Sequence, residues 1–308
     1  VYALYSVAVT TPAFDVVGIG ENSVDLVYRL PGALSANGKL RASAQRVMCG
    51  GQVATTLAAC TALGLRSAYV GTFGNDDNGA RIRQALSESN VDVSHAIVRA
   101  APNRHAVILV NERNGDRSVA WHRDPGLALN VDELPVGLIR SARLVHVDDL
   151  DEEVSVAAAR IAVGHGVAVT SDLDRITKRT AELVALSTVP IFSTHVLAAL
   201  TSDEDPSRGL RQLRATHAGP LCVTLGSDGA MLLENDVLHH VPAFAVDAVD
   251  TTGAGDVFRA GFIYALLQGY KLVDVLGFGA AAAAVSCTRE GAMTSVPSLA
   301  DVQRILRA

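Results

Sequence analysis

Cysteine is scarce in this chain: Cys49, Cys60, Cys222 and Cys287 are all it has, and no two of them form a C-x-x-C pair. That sets aside a disulfide framework. The small-residue or helical surroundings of Cys49, Cys60 and Cys287 suit buried free thiols in a reducing, cytoplasmic home. Positive charge is also in deficit. With 26 Lys and Arg against 32 Asp and Glu the net charge is −6, a field that repels nucleic acid and anionic membrane surfaces, so neither is an expected partner. The first 14 residues, VYALYSVAVTTPAF, are apolar but carry no basic stretch, and Pro12 interrupts them well short of a bilayer span. They are expected to be a leader or cloning scar. No internal repeat and no flexible interdomain linker stands out in the 308 residues, 49% of them hydrophobic, and the chain reads as one ordinary globular body from residue 15 to 308.

From Asp15 onward, short β-branched runs alternate with longer helical patterns. DVVGIG, SAYVGTF, RLVHV, GVAVTSD, VPIFST and PLCVTLG read as strands, and QVATTLAACTALG, NGARIRQALSESN, EVSVAAARIAVG and PSRGLRQLRATHA as helices. VAVTSD and LCVTLG are apolar on both faces, as a parallel strand covered by helices must be. The expected fold is therefore α/β: a three-layer α/β/α, doubly wound, mostly parallel sheet. Two stretches, about 25–45 and 97–125, break the rhythm. Each looks like strands joined by turns, with NG at 37–38 and 114–115 as hairpin signals, and both are expected to leave the main sheet as a small β-sheet lid.

Residues 250–256 read DTTGAGD, without one bulky apolar side chain, and an apolar helical pattern over 256–268 follows at once. Gly253 and Gly255 expose backbone N–H groups where a helix begins, and there the first amides lack partners and the helix dipole is positive. Such a turn suits an oxyanion or a migrating phosphoryl group. Asp256 beside it is either a helix cap or a general base that takes a proton from an attacking hydroxyl. Arg259, three residues on, either reaches a phosphate or acidic substrate or stays a surface residue.

DTTGAGD followed by a helix resembles the C-terminal signature of the ribokinase-like (PfkB) carbohydrate kinases. GGQVATTLAACTALG at 50–64 is similar to the family's N-terminal signature, and TLGSDGA at 224–230 to its nucleotide-loop motif. TREGAMTSVP at 288–297 is similar to its closing loop, and GENSVD at 20–25 to its first-strand segment. The motifs follow the family's order over nearly the whole chain.

The resemblance implies ATP-dependent phosphorylation of a sugar or sugar-acid hydroxyl, with Mg²⁺ and a small-molecule sugar as partners and a homodimer formed through the lid. It implies Asp256 as the base and the amides of Gly253, Ala254, Gly255 and Asp256 as an anion hole. Asp25, Gly50, Gly51, Thr55 and Arg123 would meet the acceptor, and Thr224, Gly226, Ser227, Gly229, Thr252 and Ala280 the nucleotide. Asp250 would organise the loop or stand by a monovalent cation such as K⁺. Residues 95–123 carry five arginines, at 99, 104, 113, 117 and 123, against Glu112 and Asp116. That bias fits either an acidic or phosphorylated sugar or a solvated edge strand. WHRD at 121–124 offers a Trp platform and a cation, or simple packing.

Three positions depart from the family pattern: Thr55 and Ala280 each stand where Asn is usual, and Thr194, His195, Val196 and Leu197 replace an Asn-x-x-Glu. A non-catalytic sugar-binding relative and a nucleoside (adenosine-type) kinase are the alternatives. Dinucleotide binding through GIGENS at 18–23 is disfavoured, because SVDLVYRL reads as another strand and the third glycine is Ser23.

Overall fold

The computed structural model describes residues 12–114 and 116–307. Among these run fourteen strands: β1 (Val16–Ile19), β2 (Ser23–Leu30), β3 (Ala44–Gly50), β4 (Ser67–Val70), β5 (Thr72–Gly74), β6 (Ile97–Arg99), β7 (His105–Asn111), β8 (Arg117–His122), β9 (Leu144–Asp148), β10 (Ala168–Leu173), β11 (Val189–Ser193), β12 (Leu221–Thr224), β13 (Ala230–Glu234) and β14 (Val237–Val241). The helices among them are α1 (Gln52–Ala62), α2 (Asp77–Glu88), α3 (Val136–Ser141), α4 (Glu152–Val163), α5 (Thr180–Leu186), α6 (Thr194–Thr201), α7 (Pro206–Leu213), α8 (Ala254–Leu267), α9 (Leu272–Cys287) and α10 (Leu299–Arg307).

The strands β14-β13-β12-β11-β10-β9-β1-β4 pair in that order among the described residues, and every pairing from β12 to β4 is parallel. β13 and β14 are antiparallel additions at one edge. All five residues of β9 are buried, as a central strand covered on both faces requires. One core packs α1, α2, α8, α9 and α10 against one face, and a second packs α3 to α7 against the other. The three-layer, doubly wound expectation describes this architecture.

A separate sheet, β3-β2-β7-β8, forms the lid. Its strands span 23–50 and 105–122, not 25–45 and 97–125, because 97–99 pairs with β5 instead. Asn37 does turn the chain, at φ 63°, but inside a long loop between β2 and β3; Gly115 of the second NG lies outside the described residues. So do residues 1–11 of the predicted leader. Phe14 packs against the second core, so the fold begins at least one residue before the expected boundary. Three short helices, α3, α5 and α6, were not among the helical patterns read from sequence. Among the described residues no helix is long and apolar enough to cross a membrane, and all four cysteines are free.

Candidate active site

The strands of the parallel sheet run out at one edge, and the loops after β1 and β12 come together with the turn into α8 there, as open α/β sheets arrange their ligand sites. Hydrogen bonds build that turn. Asp250 Oδ1 accepts from the Thr252 backbone N–H (2.9 Å) and hydroxyl (2.7 Å), and Oδ2 accepts from the Gly291 N–H (2.9 Å). Burial works to push the Asp250 carboxyl up, but those donors hold it below its ordinary value. This fits the loop-organising alternative for Asp250; K⁺ would have to share its oxygens with three donors. Among the described residues no group of three or more His, Cys, Asp or Glu is placed to hold a metal.

Gly253 precedes α8 at φ 76°, and a Cβ there would lie 2.7 Å from the Ala292 Cβ. Both the left-handed backbone and the close approach of the 288–297 loop require glycine. Because α8 starts at Ala254, Asp256 is its third residue and no side chain caps the helix. The cap alternative for Asp256 is thereby corrected; the Ala254 N–H donates to the Thr251 carbonyl (3.3 Å), and those of Gly255 and Asp256 have no partner among the described residues.

This first turn is shared between two cavities. Gly253 and Asp256 line a cleft of about 180 Å³ under the lid, whereas Ala254 and Gly255 line a cavity of about 760 Å³ bounded by the β12–β13 turn, residues 243–248, α8 and α9. The larger cavity collects Thr224, Gly226, Ser227, Gly229 and Ala280. Thr252 faces the smaller cleft instead, and its neighbour Thr251 lines the larger one.

The smaller cleft brings Asp25, Gly51 and Asp256 together with Glu21, Gln52 and Arg104. Gly50 stands beside it, where a Cβ would be 3.3 Å from Asp25 Oδ2. Asp25 Oδ1 accepts from the Ser23 hydroxyl (2.6 Å), which accepts from Arg104 Nη1 (2.6 Å). Arg104 also ion-pairs with Glu21, and its guanidinium lies 5.4 Å from the Trp121 ring centre. Burial pushes the Asp25 carboxyl up, against Ser23 and Arg104. For Asp256, burial is again the largest cause; Arg259 opposes it, Glu21, Asp174 and Asp25 reinforce it, and the carboxyl is pushed up to about 7. The Thr56 hydroxyl donates to the Asp256 carbonyl (3.1 Å), tying α1 to the same turn.

Three expectations are corrected. Thr55 is fully buried beneath Gly253 with its hydroxyl unpartnered among the described residues, so it does not reach the cleft; Gln52, one turn earlier on α1, does. Arg123 ion-pairs with Asp151 (2.7 Å) and donates to the Leu127 carbonyl (3.0 Å), beside a separate cavity of about 20 Å³. The cation in the cleft, and under Trp121, is Arg104. Arg259 is neither on the surface nor in either cavity: it is 4% exposed and ion-paired with Asp172 of β10.

The lid's positive bias is largely cancelled by acids far away in sequence, since Arg99 pairs with Glu133, Arg104 with Glu21 and Arg123 with Asp151. Arg117 is different. It donates to the Thr252 and Thr251 hydroxyls, at 2.8 and 3.2 Å, and has no carboxylate ion pair among the described residues. Where the Asn-x-x-Glu is missing, the Thr194 hydroxyl bonds the Thr224 carbonyl (2.9 Å), and His195 bonds the carbonyl of Asp174 (2.8 Å). Asp174 supplies an exposed carboxylate in that region, and its charge reaches Asp256. Nothing local in the sequence singled out Gln52, Thr56, Asp172 or Asp174, nor Arg104 from the other lid arginines; Thr56, Arg104 and Asp172 find their partners on other elements.

Comparison with known proteins gives the arrangement its context. The model of the pfkB family carbohydrate kinase matches residues 13–299. The "ATP-dependent ribose-1-phosphate kinase" of Halopiger xanaduensis is 31% identical over 287 residues, covering 91% of this chain and 94% of that protein. "Fructokinase-2" of Zea mays is 27% identical, covering 94% and 93%, and the "Nucleoside kinase" of Methanothermobacter thermautotrophicus is 25% identical, covering 92% of each. Among solved structures, Arabidopsis thaliana ribokinase complexed with ribose and ATP superimposes with a TM-score of 0.84 at 24% identity, covering 96% of this chain and 99% of that one. A helix turn with one side on each of two cavities, in a chain matched by that family nearly end to end, leads to one conclusion: the chain belongs to the pfkB family of carbohydrate kinases and is an ATP-dependent kinase.

Proposed function

We propose that the protein transfers the γ-phosphoryl group of ATP to a hydroxyl of a small, hydroxyl-rich sugar, with Asp256 as general base and the 253–256 amides as the anion hole. One observation carries this reading: Gly253 and Asp256 face the acceptor cleft while Ala254 and Gly255 face the larger cavity. A nucleotide tail entering from one side and an alcohol from the other meet at one carboxylate and at the amides of Gly253, Gly255 and Asp256, which have no partner among the described residues, beside the Ala254 amide, which leans on the Thr251 carbonyl at 3.3 Å. Asp25 and Glu21 accept hydrogen bonds from acceptor hydroxyls and hold the reacting one toward Asp256. Asp256 takes that proton, the oxygen attacks the γ-phosphorus, and the bond to the bridging oxygen breaks with its electron pair leaving on ADP. The first-turn amides and the positive end of α8 stabilise the charge on the equatorial oxygens. A Mg²⁺ ion carried by the nucleotide would be held by its phosphates and the hard carboxylate of Asp174, and would neutralise phosphate charge.

The acceptor cleft holds three carboxylates, on Glu21, Asp25 and Asp256, against the one guanidinium of Arg104. A neutral sugar therefore suits it better than a sugar acid. A phosphorylated acceptor is the second reading, favoured by Arg117, whose guanidinium has no carboxylate ion pair among the described residues and lines an adjoining cavity of about 260 Å³ that shares Ile108 and Thr252 with the cleft. The four free thiols fit a reducing, cytoplasmic setting. The test is ADP release coupled to product detection with D-ribose, D-fructose, ribose-1-phosphate, gluconate and adenosine, run beside Asp256→Asn. A neutral sugar turned over by the wild type and not by the variant is the expected result; equal rates in both proteins would remove Asp256 from the reaction.

A further inference from the structure

Behind the anion hole, on the side away from both cavities, lies an ion pair that the transfer reaction as described does not use. Arg259 projects from α8 into the space between that helix and the sheet, where its Nη2 meets Asp172 Oδ1 of β10; the two side chains are 5% and 1% exposed. Apart from this pairing, neither Asp172 oxygen nor Arg259 Nε finds a hydrogen-bond partner among the described residues. A buried pair so poorly satisfied is weak support for stability, and apolar residues of similar volume would commonly serve the core as well or better. Its placement offers a different reason for it. Arg259 Nη1 lies 2.9 Å from where a Cβ on Gly255 would stand. Gly255 has no positive φ to explain it; the guanidinium fills the space its missing side chain leaves.

We propose, resting on the kinase reading above, that Arg259 is a positioning residue for phosphoryl transfer: clamped by Asp172, its guanidinium backs the turn at Gly255 and sets a fixed positive charge behind the amides that receive the phosphoryl group. A charge in that low-dielectric space acts on the turn with little screening by water. It also acts on Asp256, one helical turn back on the same face. Asp256 is faced by Glu21, by Asp25 of β2 and by Asp174 just beyond β10, all of which favour its protonated form, and it also feels the Asp172 carboxyl of β10; Arg259 is the main group opposing them. Around Arg259 itself stand His146 of β9, Asp172 of β10 and Cys222 of β12. His146 is held neutral, with burial first and Arg259 second pushing it down to about 3, and burial pushes the Cys222 thiol up to about 12. No other group there is placed to replace the charge.

The experiment uses the full chain with whichever panel acceptor it phosphorylates best, and compares Arg259→Met, Arg259→Lys and the double variant Arg259→Met/Asp172→Asn. The double variant leaves no charge stranded in the core, so it serves where the single one fails to fold. Folding is followed by thermal melting and by calorimetric binding of ADP. The proposal expects the folded Met-containing variants to lose roughly 10-fold or more in kcat. In Arg259→Met the acid limb of kcat/KM should move up by about one pH unit, and by less in the double variant, which also removes the Asp172 charge; Arg259→Lys should restore part of both losses. A folded, ADP-binding double variant with wild-type kcat, or a folded Arg259→Met with an unmoved acid limb, would overturn it. Asp256→Asn, run alongside, separates the two levels: wild-type turnover in that variant would remove Asp256 as the base, whatever Arg259 does.

Discussion

Asp256 and Gly253 stand three residues apart in the same turn, and each has its own measurable consequence. Only the ionised form of Asp256 can accept a proton, and its carboxyl is pushed up to about 7. The rate kcat/KM of the free enzyme should therefore rise with pH through about 7 and flatten above it, and an acid limb near 4 would show that another group limits the reaction. The same shift bears on stability. In the unfolded chain this carboxyl ionises near 3.8, so between that pH and about 7 the folded state binds more protons. The contribution of Asp256 to stability thus falls as pH rises through that window and stays low above it. Asp256→Asn removes the buried charge, and its melting temperature at pH 8 should exceed that of the wild type by roughly 2–4 °C, while its kcat falls at least about 100-fold. At Gly253, alanine meets both a left-handed φ and the Ala292 backbone. Gly253→Ala should cost about 1–3 kcal/mol in denaturant unfolding and more in kcat than in KM, because the displaced group is the anion hole.

At the scale of elements, the site is a meeting of α8 with strands it never adjoins in sequence. Thr56 of α1 reaches the Asp256 carbonyl, Arg117 of β8 reaches Thr251 and Thr252, and Gly291 closes on Asp250. Arg117 lies on an exposed strand, so Arg117→Ala should leave stability within about 0.5 kcal/mol. It should raise KM for ATP and for the acceptor several-fold, as the lid loses its hold on the loop. Unchanged KM values for both would leave Arg117 a surface residue. The alternation of strands and helices and the start of α8 were legible because each is written in local periodicity and glycine placement. The lid's limits were not. Whether residues 97–99 join the lid or β5 depends on which strand edge lies nearer in space, and no pattern within three residues encodes that.

On the scale of the whole molecule, the outer lid face carries Leu26, Tyr28, Val47, Val107 and Leu109, the residues alternate to those facing the cleft. Val47 is 39% exposed. A second copy meeting this face would bury it, so light scattering should report a dimer, and Val47→Asp should shift the population toward monomer. A wild type that stays monomeric at tens of micromolar would refute pairing through the lid.

The order of secondary elements, the parallel core and the glycine turn that opens α8 were determined by the sequence itself, because hydrophobic period, glycine and helix-start chemistry act over a few residues. Tertiary structure alone decided which charges face the site. Arg123 and Arg104 look alike in sequence, yet one is held by Asp151 and the other by Glu21 in the acceptor cleft. Arg259 could be placed on the surface by its spacing, yet the fold buries it against Asp172. Charge pairing acts through space at low dielectric, between residues that the chain separates by tens of positions, and only packing brings them within reach.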